Sequence, residues 1–225
     1  MRGAELGGGD LVGGFVVWFT GLSASGKTTI ANIVEPELER CGYVVDHLDG
    51  DIVRTHLSKG LGYSKKDRDA NIARIGWVAS RLARAGAAVV VSAISPYEEA
   101  RRHARSLVEQ HAPFVEVHVA TPLEECARRD PKGLYAAAFA GEIDDFTGVS
   151  APYEEPSNPE LRLDTTGETP TESAAVVLAR LAELNLLPAE PRPGRVRPGR
   201  GRVRSNREGG SDLVVGTSSE EATWS

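Results

Sequence analysis

Apolar runs and stretches of helical spacing alternate along this chain. Residues 15–20, FVVWFT, form an unbroken run of strand formers that stops at Gly21. Residues 28–40 then place Ile30, Ile33, Val34 and Leu38 at helical spacing, and Cys41 and Gly42 close that helix. Pro36 lies within it and predicts a kink. A second strand is expected over 43–48, YVVDHL, and a short helix over 52–57. Ser64, with Asp67 three residues on, is a start signal for a long helix to about residue 85, with Ile72, Ile75, Val78, Ala79 and Leu82 on one face. Residues 87–93, AAVVVSA, read as a parallel strand buried on both faces.

Three later segments repeat one device. Ser95-Pro96-Tyr97-Glu98, Thr121-Pro122-Leu123-Glu124 and Thr169-Pro170-Thr171-Glu172 each offer an N-cap hydroxyl, proline at the first helical position and glutamate at the third. Each follows a strand-like run, at 87–93, 114–120 and 161–164. Repeated strand-then-helix units predict an α/β fold, a mostly parallel, doubly wound sheet with helices on both faces. Residues 130–160 are rich in Gly, Pro, Asn and Asp, and a connection that long is expected to serve as a lid.

Composition adds boundaries. Residues 1–12 are glycine-rich and expected to be flexible, residues 13–187 to fold, and residues 188–225, rich in Pro, Gly and Arg without a period, to be disordered. An arginine arm for an anionic partner is the other reading of that tail. The 225 residues, 40% hydrophobic and 26% charged, suffice for a sizeable core. The net charge of −6 is uneven: residues 188–225 carry 7 Arg against 5 Asp and Glu, net +2, leaving −8 on the rest. A body that acidic is a poor nucleic-acid surface. The apolar run 85–94 is too short to cross a bilayer, and the start has no apolar stretch after its arginine; both point to a cytoplasmic protein. Cys41 and Cys126 lie far apart with no ligand-spaced partner and are expected to be buried, reduced thiols.

The candidate chemistry begins after the first strand. Gly21, Leu22, Ser23, Ala24, Ser25, Gly26, Lys27, Thr28 and Thr29 carry the G-x-x-x-x-G-K-[ST] spacing of a phosphate loop. Glycines at 21 and 26 let successive N–H groups turn in on a polyphosphate, and the helix opening at Lys27 adds its positive end. Lys27 supplies charge for the β- and γ-phosphates of a nucleotide such as ATP, and the Thr28 hydroxyl suits Mg²⁺. Asp49 and Asp51 follow the second strand, where a kinase wants one acid for an acceptor hydroxyl and one for Mg²⁺. Arg54, Arg68, Asn71 and Arg74 lie on the next two helices, and arginine forks match phosphate or sulfate. Ser95 is an N-cap by pattern, and also stands where an anion or a phosphoryl group would be held. Lys132 opens the expected lid. Residues 130–133 match D-x-x-G, but no N-K-x-D guanine motif accompanies them, which argues against a GTPase switch. Another small-molecule kinase of this class, or a nucleotide-binding regulator without turnover, shares these features.

In order, GLSASGKTT, LDGDIVR, LGYSKKDRDANIARIG, AISPYEEAR, VATPLEEC, RDPKGLY, AGEIDDFTG, PYEEPSNPEL and LDTTG resemble the adenylyl-sulfate kinase family over residues 13–187. That resemblance implies transfer of the γ-phosphoryl of MgATP to the 3′-hydroxyl of adenosine 5′-phosphosulfate (APS), giving PAPS for sulfate activation. It implies a loop from Gly21 to Thr28 for ATP, and Asp49 and Asp51 for Mg²⁺ and the acceptor hydroxyl. Arg54, Arg68 and Asn71 would grip the phosphosulfate, with Tyr63 near the adenine where the family commonly has phenylalanine. Ile94 and Ser95 would line the substrate site, under a lid of Lys132, Phe146, Thr147 and Gly148. Family descriptions sometimes make this serine a phosphoserine intermediate; in-line transfer needs positioning and charge neutralisation, and no relay. Two departures matter. Ala24 replaces a usual glycine and is expected to keep a negative φ. Alanines 136–138 and Phe139 replace the usual lid cations, which predicts a weaker or slower kinase. A homodimer and a functional link to a sulfate adenylyltransferase are also implied.

Overall fold

A computed structural model describes residues 13–188. The segments expected to be flexible, 1–12, and disordered, 188–225, lie outside the described residues apart from Pro188. In chain order the elements are β1 (Phe15–Thr20), α1 (Lys27–Arg40), β2 (Val45–Asp49), α2 (Gly50–His56), α3 (Lys65–Arg84), β3 (Ala88–Ser92), α4 (Glu98–Glu109), β4 (Phe114–Val119), α5 (Leu123–Arg129), α6 (Leu134–Phe139), β5 (Leu161–Leu163) and α7 (Pro170–Glu183). All strand pairs are parallel, in the order β2-β3-β1-β4-β5. The doubly wound α/β fold is therefore present.

The alternation of side chains divides the core into two layers. Phe15, Val17 and Phe19 of the central strand β1 meet Ile30, Val34 and Leu38 of α1 and Val177 and Leu181 of α7. On the other face Val16 and Trp18 meet Ile72, Ile75 and Ala79 of α3 and Ala104 and Val108 of α4. Each such fully buried aliphatic side chain contributes about 1.5–3 kcal/mol relative to exposure. A Cβ on Gly76 would come within 2.8 Å of the Ala104 Cβ, so a glycine there lets α3 and α4 approach closely.

Pro36 lies inside α1 as expected, on the exposed face, where a carbonyl deprived of its partner can face water. Several local expectations are corrected. Ser95 does not cap α4. That helix starts at Glu98 with Tyr97 at its N-cap and no side-chain cap, because the Ser95 hydroxyl is committed to the core. Thr121 does not cap α5 either; Pro122 holds that place, and the Thr121 hydroxyl donates instead to the Ser25 carbonyl at 3.0 Å. Thr169 alone of the three builds the full capping box. Residues 130–160 contain α6 as well as loop. Cys126 is buried, but Cys41 is only half-buried.

Candidate active site

At the carboxyl ends of the strands lies a cavity of about 1040 Å³. In open α/β sheets this edge collects ligands, because loops there have no strand to continue and helix N-termini face it. The loop after β1 forms one wall. Gly26, at φ 105, and Ala24, at φ 57, both adopt the left-handed region. The expected negative φ at Ala24 is thus not adopted, since turning successive amides inward requires the left-handed residue there, at a Cβ cost of about 1–2 kcal/mol. Ser23, Ala24, Gly26, Lys27, Thr28 and Thr29 line the cavity, while Gly21, Leu22 and Ser25 stand behind them. Gly21 has a packing reason: at φ 147, its Cβ would lie 2.4 Å from the Val119 carbonyl oxygen. The Lys27 ammonium is buried and donates to the Leu22 carbonyl at 2.6 Å, curled into the loop's own concavity. Burial lowers its pKa to about 8, against the pull of nearby Asp49 and Asp51.

Parallel pairing of β2 with β3 sets Asp49 beside Ser92. Asp49 Oδ2 accepts from Thr28 Oγ1 at 2.8 Å and from Ser92 Oγ at 2.9 Å. His47 Nε2 lies 2.9 Å from the same Ser92 hydroxyl. Burial works against the Asp49 charge, but the bonds from Thr28, Ser92 and the amides of Asp51 and Ile52 outweigh it and hold the carboxyl below its ordinary range. One carboxylate and hydroxyls, all hard oxygens, fit a Mg²⁺ that keeps most of its shell from water and phosphates. Among the described residues no group of three or more His, Cys, Asp and Glu side chains could hold a metal ion by itself.

The opposite wall comes from α2, α3 and the turn joining them. Arg54, Tyr63, Arg68 and Asn71 all line the cavity, whereas Arg74 does not and donates to the Leu57 carbonyl instead. Arg54 lies 4.4 Å and Arg68 5.5 Å from the Tyr63 ring centre, so the ring is flanked by guanidinium groups. Arg68 is buried, which lowers its pKa, and donates to the carbonyls of Tyr63 and Asp145. The buried Asn71 Oδ1 has no hydrogen-bond partner among the described residues. An unmatched acceptor at a cavity wall suits a donor on a ligand.

Asp51 is exposed at α2's first turn and pairs with Lys132 at 2.5 Å; this bond to Asp51 raises the lysine's pKa. The segment expected to form a lid is tied to the phosphate loop. The Tyr135 hydroxyl donates to the Ser23 carbonyl at 3.0 Å, and its ring meets Phe146 edge-on at 5.0 Å. Phe146 and Thr147 line the cavity, but Gly148 does not; at φ 91 its missing Cβ makes room for Leu22. Ile94 and Ser95 line it as well. Ser95 is 1% exposed at φ 41, and its Oγ accepts from Trp18 Nε1 at 3.1 Å and donates to the Ala93 carbonyl at 3.3 Å.

Sequence reasoning missed several lining residues: Arg128, Arg129, Ser92, His47 and Thr165. Arg129 donates to both oxygens of Thr165 at 2.8 and 2.9 Å, and Thr165 Oγ1 reaches the Ser25 carbonyl at 3.1 Å, so the end of α5 braces the phosphate loop. Two adjacent arginines directly before residues 130–160 were the available signal. Ser92 and His47 carried none, since only strand pairing sets them against Asp49.

The family model described as adenylylsulphate kinase matches residues 13–164. An adenylyl-sulfate kinase of Halothermothrix orenii is 54% identical over 76% of this chain and 90% of its own length. A probable bifunctional SAT/APS kinase of Sorangium cellulosum is 52% identical over 78% of this chain and 30% of its own. A solved structure of the Mycobacterium tuberculosis APS kinase CysC in complex with AMPPNP and APS superposes with a TM-score of 0.72, at 46% identity, covering 76% of this chain and 98% of that one. A phosphate loop, an acid pair at the end of β2 and the start of α2, and an arginine-bearing second wall, on a chain with these relatives, lead to one conclusion: the protein belongs to the adenylyl-sulfate kinase family.

Proposed function

We propose that this protein is an adenylyl-sulfate kinase, passing the γ-phosphoryl of MgATP to the 3′-hydroxyl of adenosine 5′-phosphosulfate. The observation that carries this reading is one cavity lined on one side by Gly26, Lys27 and Thr28 and on the other by Arg54, Tyr63, Arg68 and Asn71. In it, Gly21 to Thr29 cradle the triphosphate, and Lys27 leaves the Leu22 carbonyl for the β- and γ-phosphates. Thr28 and Asp49 would hold Mg²⁺, whose charge would offset the negative charge on the transferring group. Arg128 and Arg129 contribute to the ATP side. Arg54, Arg68 and Asn71 bind the anions and polar edges of APS, Tyr63 and Phe146 offer flat faces to its adenine, and Ile94 and Ser95 back it.

Asp51 accepts the proton of the 3′-hydroxyl as its oxygen attacks the γ-phosphorus. Lys132 orients Asp51 and moves to the phosphates as the lid closes. The oxygen reaches phosphorus in line with the leaving ADP, so no group on Ser95 is required. The Sorangium relative supports a functional link to a sulfate adenylyltransferase, which would supply APS. Homodimer formation and a cytoplasmic location belong to the same reading; no described helix is long and apolar enough to cross a membrane. ADP release from MgATP, measured with and without APS and against gluconate and nucleosides, tests the assignment. APS-dependent release is expected. Equal release with gluconate would favour a different acceptor, and ATP binding without release a regulatory role.

A further inference from the structure

Beneath the wall at residues 94–96 lies a network whose supporting side chains, Arg101, Glu116, Thr20 and Tyr153, do not line the cavity. Ser95 is a non-glycine residue at φ 41, a conformation that persists only where surrounding bonds over-determine it. Its carbonyl accepts from Arg101 of α4 at 2.8 Å. Arg101 is 3% exposed. Its Nε lies 3.1 Å from Glu116 Oε1 of β4, an ion pair whose angles fall short of a hydrogen bond, and its third nitrogen is 3.5 Å from Glu98. The residues on either side of Ser95 are fastened too. Thr20 Oγ1 donates to the Ile94 carbonyl at 2.7 Å and lies 3.0 Å from the Tyr153 hydroxyl. The Glu154 amide donates to the Pro96 carbonyl at 2.8 Å. Glu116 is itself steadied by Arg105 and Glu160, and the Arg105–Glu160 pair is bidentate at 2.8 Å.

A buried guanidinium is costly to keep, and an apolar side chain would serve the core at least as well. What an apolar side chain cannot do is hold a carbonyl oxygen in place. We infer that Arg101 is a positioning residue for the acceptor nucleotide, acting through the Ser95 carbonyl to hold the 94–96 wall in the shape that receives APS. Arg101 does not line the cavity, and neither do Glu116, Thr20 or Tyr153. The effect therefore falls mainly on that substrate: the phosphate loop has supports of its own in Thr121, Thr165 and Tyr135, and meets the wall through the Gly21 amide, 3.5 Å from the Ile94 carbonyl.

This inference rests on the acceptor side proposed above, and the test keeps the two apart. Arg101→Met removes the donor, and Arg101→Met with Glu116→Gln also removes the carboxylate left behind, so that the double variant folds where the single one fails. Glu116→Gln alone keeps the Arg101 bond to Ser95 and an oxygen for Nε. Steady-state ADP release should give a KM for APS raised about tenfold or more in both Arg101 variants, on the scale by which small displacements cost binding and rate. The KM for MgATP should stay within about twofold, and Glu116→Gln should leave both constants within about twofold. Hydrogen exchange over residues 94–98 should rise in the double variant, whatever the activity. An unchanged KM for APS in the double variant, or a Glu116→Gln protein as impaired as Arg101→Met, would overturn the inference. Wild-type protein that releases no ADP with APS would remove the kinase reading instead; exchange over 94–98 then still decides whether Arg101 holds the wall.

Discussion

Replacing Ser95 by alanine separates a serine that carries a phosphoryl group from one that secures a wall. The hydroxyl is enclosed: it accepts from the Trp18 indole at 3.1 Å and donates to the Ala93 carbonyl at 3.3 Å, and Trp18 is fully buried in β1. With a methyl group there, the indole N–H loses its partner where no solvent reaches it, at a cost of about 1–3 kcal/mol. For a domain of this size each kcal/mol lowers the melting temperature by about 2–4 °C, so a fall of about 2–12 °C is expected. Turnover should change much less. The proposed transfer passes from ATP to the acceptor oxygen in one in-line step, and kcat should remain within about tenfold of wild type. A phosphoserine relay predicts the reverse, a loss on the order of 10³-fold or more, as when a covalent nucleophile is deleted. Scanning fluorimetry and steady-state ADP release on the same preparation read both quantities. A variant with an unchanged melting temperature and a kcat reduced a thousandfold would refute the reasoning.

Three further outcomes follow from the site. Ala24→Gly relieves a left-handed Cβ worth about 1–2 kcal/mol while adding about 0.4–1 kcal/mol of unfolded-chain entropy, so urea denaturation should show a net gain of roughly 0–1.6 kcal/mol; a loss of stability would contradict the strain assigned at φ 57. Lys27 has a folded pKa of about 8, below an unfolded value of about 10.4, so its buried charge is unfavourable below pH 8 and that penalty fades as pH rises from 8 towards 10. Triphosphate restores the charge, so AMPPNP binding at pH 8.5 should take up protons, with a calorimetric heat that depends on the buffer's ionisation enthalpy; a buffer-independent heat would count against it. Asp51→Asn should lower kcat by about 10²–10⁴ with little change in the KM for MgATP, and an undiminished kcat would remove Asp51 as the base.

The phosphate loop was readable because a polyphosphate imposes a local demand: glycine at Gly26, a cation and a hydroxyl at neighbouring positions, between a strand and a helix. The α/β order was readable for a similar reason, since periods of 2 and 3.6 are written residue by residue. Capping was read less well. Ser95 and Thr121 carry the same pattern as Thr169, yet their hydroxyls found stronger partners in Trp18 and in the Ser25 carbonyl. A local signal loses when a buried donor or acceptor would otherwise go unpaired.

Local spacing thus determined by itself the alternating elements, the anion loop at Gly21 to Thr29, and the acids and arginines offered downstream. Only the folded chain decided that Ser92 and His47 support Asp49, that Arg129 braces the loop through Thr165, and that Arg101 reaches the Ser95 carbonyl. Strand register brings the first two sets together across tens of positions, and the path of the chain from β3 into α4 turns Arg101 back on Ser95; one-dimensional spacing carries no record of which side chains will meet at the end of a sheet.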